Sequence, residues 1–179
     1  SAEAFIGYDA APYYKFLMLL PSMQDFAEMK LYGGGALEHN MSSFYVMPGS
    51  ERSLPGLRST MAHEFFHILT PLNLHSEVIQ EFNFVNPVPS KHIWLYEGVT
   101  EWASDIMQLR GGITDYDHYF DQISEKMTIN GGFFPQKSLI NMALTSYDED
   151  GYGHFFNFYN KGSLTATCLD IELLKLSDG

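Results

Sequence analysis

The residues best equipped for chemistry in this chain lie within five positions of one another, His63-Glu64-Phe65-Phe66-His67. His63 and His67 stand four residues apart, and on a helix that spacing puts two side chains on one face, one turn apart. Two imidazoles so placed can hold a single metal ion from the same side. Glu64 follows the first histidine and can reach a water on that ion to take its proton. Two histidine ligands with a neighbouring glutamate base are the arrangement of a zinc hydrolase site.

Such a site needs a third protein ligand and one position left open for water. A histidine six residues beyond the second, with a glycine between, would complete it within one segment. Those positions hold Asn73 and Thr70, which excludes that option. A glutamate from a later helix is the other source, and Glu77, Glu81, Glu97 and Glu101 are the candidates. Glu97 is favoured, because Trp94-Leu95-Tyr96 before it and Gly98-Val99 after it would bury its carboxylate, and a buried carboxylate needs a cation. Glu101 lies one turn further along the same face. It can accept a hydrogen bond from the outer ring nitrogen of a ligand histidine. Gly98 permits a second helix to pack closely.

These residues need helices to hold them. A helix is expected to start near Leu54-Pro55, with Ser53 as N-cap and Pro55 in its first turn, and to end before Pro71. Residues 72–90 read as irregular. A second helix spans residues 93–109 and stops at Gly111-Gly112. A third spans residues 115–129, with Thr114 and Asp117 as a capping box and Gly131-Gly132 ending it. A short helix near residues 139–144 and a long one over residues 160–176 follow. Upstream, the apolar residues 13–20 read as a buried strand ended by Pro21, and residues 42–47 as a second strand. Gly33-Gly34-Gly35 between them is a loop where backbone can approach a ligand. A little β structure followed by helices predicts an α+β fold, mostly helical with a small N-terminal β portion.

The composition agrees. With 179 residues, 45% hydrophobic and 18% charged, the chain reads as one folded domain over residues 1–179. A net charge of -12 argues against nucleic acid or anionic lipid as partner and favours a cationic ligand, such as a free peptide amine. The single Cys168 excludes an internal disulfide and a cysteine-based zinc site. The sequence holds no apolar run long enough to span a membrane.

Taken together, His63-Glu64-Phe65-Phe66-His67 and Trp94-Leu95-Tyr96-Glu97-Gly98-Val99-Thr100-Glu101-Trp102 resemble the gluzincin metallopeptidases, and most of all the glycyl aminopeptidase family related to aminopeptidase N. The resemblance implies a thermolysin-like catalytic domain in which one Zn²⁺ is held by His63, His67 and Glu97. Two further stretches join it. Gly35-Ala36-Leu37-Glu38-His39 resembles the Gly-Ala-Met-Glu-Asn signature of those relatives, with Leu37 and His39 as departures. It implies that Gly35, Ala36 and Glu38 bind the substrate, Glu38 through its free α-amine. Tyr159-Asn160-Lys161-Gly162 resembles a Tyr-x-Lys-Gly element whose tyrosine stabilises the tetrahedral intermediate.

The implied function is zinc-dependent removal of N-terminal residues from peptides by metal-activated water, with Glu64 and Tyr159 catalytic and Glu101 orienting a ligand. A zinc endopeptidase and a non-catalytic zinc or peptide-binding domain are the alternatives. The resemblance runs from Gly35 to Gly162, leaving too few residues for the N-terminal β-domain and the PDZ domain of relatives. The chain is therefore expected to be a catalytic domain excised from a longer, multidomain protein. A bacterial setting, in the periplasm or cell envelope, is what the resemblance suggests, and the sequence leaves the compartment open.

Overall fold

The computed structural model describes residues 2–8, 11–30, 34–132, 136–148 and 151–177. Gly33 of the expected glycine loop lies outside them. In chain order the elements are α1 (Ala2–Ile6), β1 (Lys15–Leu19), α2 (Met23–Glu28), β2 (Gly35–His39), β3 (Ser42–Val46), α3 (Leu54–Phe66), α4 (Glu77–Gln80), α5 (Ile93–Arg110), α6 (Tyr116–Gly132), α7 (Leu139–Leu144) and α8 (Asn157–Ser177). Short 3₁₀ turns at Glu51–Ser53 and Tyr152–His154 precede α3 and α8. The fold is α+β, as the sequence predicts, with the three strands and the short α1 and α2 preceding the helical part.

The three strands form one sheet in the order β1-β3-β2. β1 runs parallel to β3 with Leu17 opposite Phe44, and β2 runs antiparallel to it with Glu38 opposite Ser43. Two findings differ from the sequence reading. Residues 35–39 are a strand in their own right. And β1 is exposed along its whole length, not buried. An apolar run shows that a segment avoids water but not what covers it. As an edge strand, β1 is covered here on one side only, by β3. The middle strand is where burial falls, with Ser43 and Tyr45 fully enclosed and hydrogen-bonded to each other at 2.5 Å.

The helical part is built around α5. Phe66 of α3 packs with Ala103 and Met107 of α5, closed over by Phe5 and Trp102. On the other side Phe158 of α8 packs with Met142 and Ala143 of α7 against Ile93 and Trp94. α5 and α8 cross with backbone in contact at Gly98 and Gly162. A Cβ built on Gly98 would lie 2.6 Å from the Gly162 carbonyl carbon and 2.9 Å from the Phe158 oxygen, so only glycine fits there. This is the close packing that Gly98 was expected to allow.

Two capping expectations change. Ser53 makes no side-chain cap, because the 3₁₀ turn places it already in helical backbone, and its hydroxyl bonds to Ser50 at 2.8 Å. α6 is capped by Asp115, which accepts from the His118 amide at 2.8 Å, rather than by Thr114. Gly131 and Gly132 are the last two residues of α6. α8 begins three residues earlier than expected, at Asn157, whose buried side chain donates to Asn130 at 3.1 Å.

Candidate active site

α3 carries the HExxH residues and ends as soon as it has delivered them. Its last helical residue is Phe66, and His67 is the C-cap. The helix was expected to run on to Thr70. The earlier end matters, because the chain turns back and the Thr70 carbonyl accepts a hydrogen bond from His67 Nδ1 at 2.9 Å. His63 is held in the same way by a different group: its Nδ1 donates to Glu101 Oε2 at 2.9 Å. Both rings are therefore tied by Nδ1 and turn Nε2 toward one point, their planes near perpendicular at 84°. That point is met by Glu97 Oε2, 3.3 Å from His63 Nε2 and 3.7 Å from His67 Nε2. One donor atom from each of the three lies within 4.8 Å of the other two.

Burial makes this arrangement electrostatically sharp. His63 and His67 are 5% and 4% exposed. Burial alone would lower the His63 pKa, but hydrogen bonds to Glu101 and Glu97 outweigh it and raise it to about 10 in the protein alone. His67, with burial dominant, is lowered and stays neutral. Burial works to raise the Glu97 carboxyl, yet the His63 hydrogen bond and the two imidazoles hold it below the usual carboxylate range. Glu64 has no such partner. Desolvation, with Glu38 and Glu97 nearby, raises its pKa to about 7 despite the opposing pull of His63. A carboxyl poised near neutrality can both take and return a proton.

β2 lies along one side of this site. Strand alternation turns Ala36 and Glu38 inward and leaves Gly35, Leu37 and His39 exposed. Carboxylate oxygens of Glu38 and Glu64 and a nitrogen of His67 come within 4.8 Å of one another. Tyr14, just ahead of β1, donates to the Glu64 carbonyl at 3.3 Å and packs on Phe65, which pins the sheet to α3. From α8, Tyr159 sets its ring 5.4 Å from His63 and hydrogen-bonds Glu97. Burial and the neighbouring carboxylates push its pKa well up, so it remains a phenol and a donor. Gly35, Ala36, His63, Glu64, Phe156 and Tyr159 all line one open cleft of about 590 Å³.

The structure brings together His63, Glu64 and His67 from α3, Glu97 and Glu101 from α5, Gly35, Ala36 and Glu38 from β2, and Tyr159 from α8, whereas the other candidate ligands, Glu77 and Glu81, sit at the two ends of α4 and join neither ligand group. Sequence reasoning missed three groups, the Thr70 carbonyl, Lys126 and Asp105. The Thr70 carbonyl on His67 carries no sequence signal. Lys126 of α6 is buried and donates to Glu101 Oε1 at 2.6 Å and to Asp105 Oδ2 at 2.9 Å. Asp105 had a signal: Glu97, Glu101 and Asp105 are spaced at four residues and share one helix face. Such a stripe, half-buried at Glu97 and Glu101 and buried at Asp105, requires cations.

The donor set can be tested against a metal. Two imidazole nitrogens and one carboxylate oxygen, each histidine tied by its other nitrogen, match the ligand types and outer-shell partners of catalytic zinc.

No curated protein matches the chain. A solved structure of an aminopeptidase N family protein from Idiomarina loihiensis superposes with a TM-score of 0.80 over 99% of this chain, at 19% identity. This chain spans 32% of that one, and at such identity the likeness is one of fold. The sequence model of M61 glycyl aminopeptidase matches residues 56–165, from the start of α3 well into α8. More than half of the sequence is covered, including His63, His67, Glu97 and Tyr159, and the chain belongs to the M61 glycyl aminopeptidase family.

Proposed function

We propose that this chain is the catalytic part of a zinc-dependent aminopeptidase with a thermolysin-like site. The observation that carries the reading is the convergence of His63 Nε2, His67 Nε2 and a Glu97 oxygen, with both Nδ1 atoms already engaged. His63, His67 and Glu97 would hold the ion. Zinc held there supplies Lewis acidity, which polarises a carbonyl and makes water acidic enough to ionise near neutral pH.

The side chains of this chain do the rest. Glu64, with a pKa of about 7, takes the proton of the attacking water and returns it to the leaving amine. Tyr159 keeps its proton and donates to the oxyanion that develops on the scissile carbonyl. Glu38 accepts from the substrate's terminal ammonium, a charge-assisted bond that places the first peptide bond in the cleft. Gly35 and Ala36 present the backbone of β2 beside it. The exopeptidase register follows from the half-buried position of Glu38 on the inner face of β2, near Glu64 and His67. The flanking β and PDZ domains of the longer protein belong to the same proposal.

The test is Glu64→Gln. It keeps the metal ligands and should bind one zinc per chain while losing turnover of aminoacyl substrates. Hydrolysis at the wild-type rate in that variant rules out Glu64 as base. Equal cleavage of free and N-acetylated peptides by the wild type would favour endopeptidase action.

A further inference from the structure

The cluster behind His63 is larger than a metal site needs. Glu101 Oε2 accepts from His63 Nδ1 at 2.9 Å, and its other oxygen, Oε1, accepts from Lys126 at 2.6 Å. Lys126 in turn donates to Asp105, one turn along α5, at 2.9 Å. Lys126 and Asp105 are only 7% and 4% exposed. Burying an ammonium is costly, and a buried ion pair is weak evidence for stability in itself. Neither residue touches the cleft or a candidate ligand.

We propose that Lys126 is a positioning residue for the metal site, acting on His63 through Glu101. The inference rests on the metallopeptidase reading above. Glu101 is useful to His63 only as an anion in one orientation. It then accepts Nδ1–H, fixes the tautomer and leaves the Nε2 lone pair for the metal. A carboxylate held by one oxygen alone can rotate away from the imidazole. Lys126 lies between the Glu101 and Asp105 carboxylates, and its bond to Oε1 clamps the end of Glu101 that His63 does not hold. Asp105 keeps the ammonium in place. The chain His63–Glu101–Lys126–Asp105 thus ties α3, α5 and α6 to the orientation of one ring.

The test compares zinc affinity of wild type, Lys126→Met and Lys126→Arg, by competition with a chromophoric chelator, with thermal unfolding of each metal-free protein alongside. Lys175→Met, which removes a surface cation paired with Glu172, is the control for net charge. Loss of an outer-shell partner typically weakens metal binding about 10–100-fold. That loss is expected for Lys126→Met, with substantial recovery in Lys126→Arg and no change in Lys175→Met. Folded Lys126→Met with wild-type zinc affinity overturns the inference, and so does a loss that Lys126→Arg fails to reduce. If Lys126→Met does not fold, Asp105→Asn carries the test: it keeps the Lys126–Glu101 bond but loosens the ammonium, and must weaken zinc binding. Wild-type affinity there also overturns the inference. Wild-type protein that takes up no zinc overturns the functional reading first, and this inference with it.

Discussion

The contact between Gly98 and Gly162 sets the spacing between Glu97 on α5 and Tyr159 on α8, so Gly98→Ala should separate metal binding from turnover. The new Cβ would lie 2.6 Å from the Gly162 carbonyl carbon and 2.9 Å from the Phe158 oxygen. Carbon atoms in ordinary contact sit about 3.5–4.0 Å apart, so the helices must part by roughly 1 Å. Both atoms are backbone and cannot rotate away. Phe158 is the immediate neighbour of Tyr159, and Gly98 that of Glu97, so the displacement is felt directly at the Tyr159–Glu97 bond. A misplacement of about 1 Å at a catalytic group costs on the order of 10²-fold in rate, equal to about 2.7 kcal/mol. Overpacking costs about 1–3 kcal/mol of stability, a fall of several degrees in Tm. Zinc affinity should fall far less than kcat, because the displaced α8 carries none of His63, His67 and Glu97 and the α3–α5 contact lies on another face. The assay is kcat on an aminoacyl substrate with zinc affinity measured in parallel. Gly162→Ala should behave alike, since its Cβ would meet the Trp94 oxygen at 2.8 Å. Gly131→Ala, a helical position with open space around it, should stabilise by about 0.5–1 kcal/mol. A folded Gly98→Ala enzyme with kcat close to wild type refutes the reasoning.

Three other outcomes are expected. Tyr159→Phe should lower kcat by about 10²–10³-fold with zinc uptake unchanged, and a wild-type kcat would remove Tyr159 from the mechanism. Glu38→Ala should raise KM for free peptides and narrow the difference from N-acetylated ones; an unchanged preference would mean that another group reads the amine. The third concerns protons. In the protein alone His63 has its pKa raised to about 10 by Glu101 and Glu97, so its contribution to metal-free stability is full below the unfolded value of about 6.5 and is lost as pH rises through about 10. A metal requires the neutral ring, so at pH 8, where Glu64 is already mostly ionised, zinc binding should release about one proton from His63. Calorimetry in two buffers of different ionisation enthalpy measures it, and zero release would show that His63 is neutral beforehand.

The sequence by itself determined the local chemistry. His63 and His67 at four-residue spacing, Glu64 between them, and Glu97 with Glu101 one turn on are statements about helix periodicity, and a helix carries its geometry in the chain. α5 and α7 came out at nearly the residues read from the sequence, for the same reason. Gly98 could be read as a site of close packing because no other residue leaves that space.

Tertiary structure alone decided what meets what. The exposure of β1 was hidden, since an apolar run reports avoidance of water and not the identity of its cover. The end of α3 at Phe66, which sends the Thr70 carbonyl back to His67, depends on how the chain turns after the helix. Lys126 is 25 residues from Glu101, on a helix whose own sequence marks it as an ordinary solvated lysine. Only the packing of α6 against α5 removes it from water and places it on two carboxylates. Short-range spacing names the groups equipped for chemistry; long-range packing chooses the groups that hold them still.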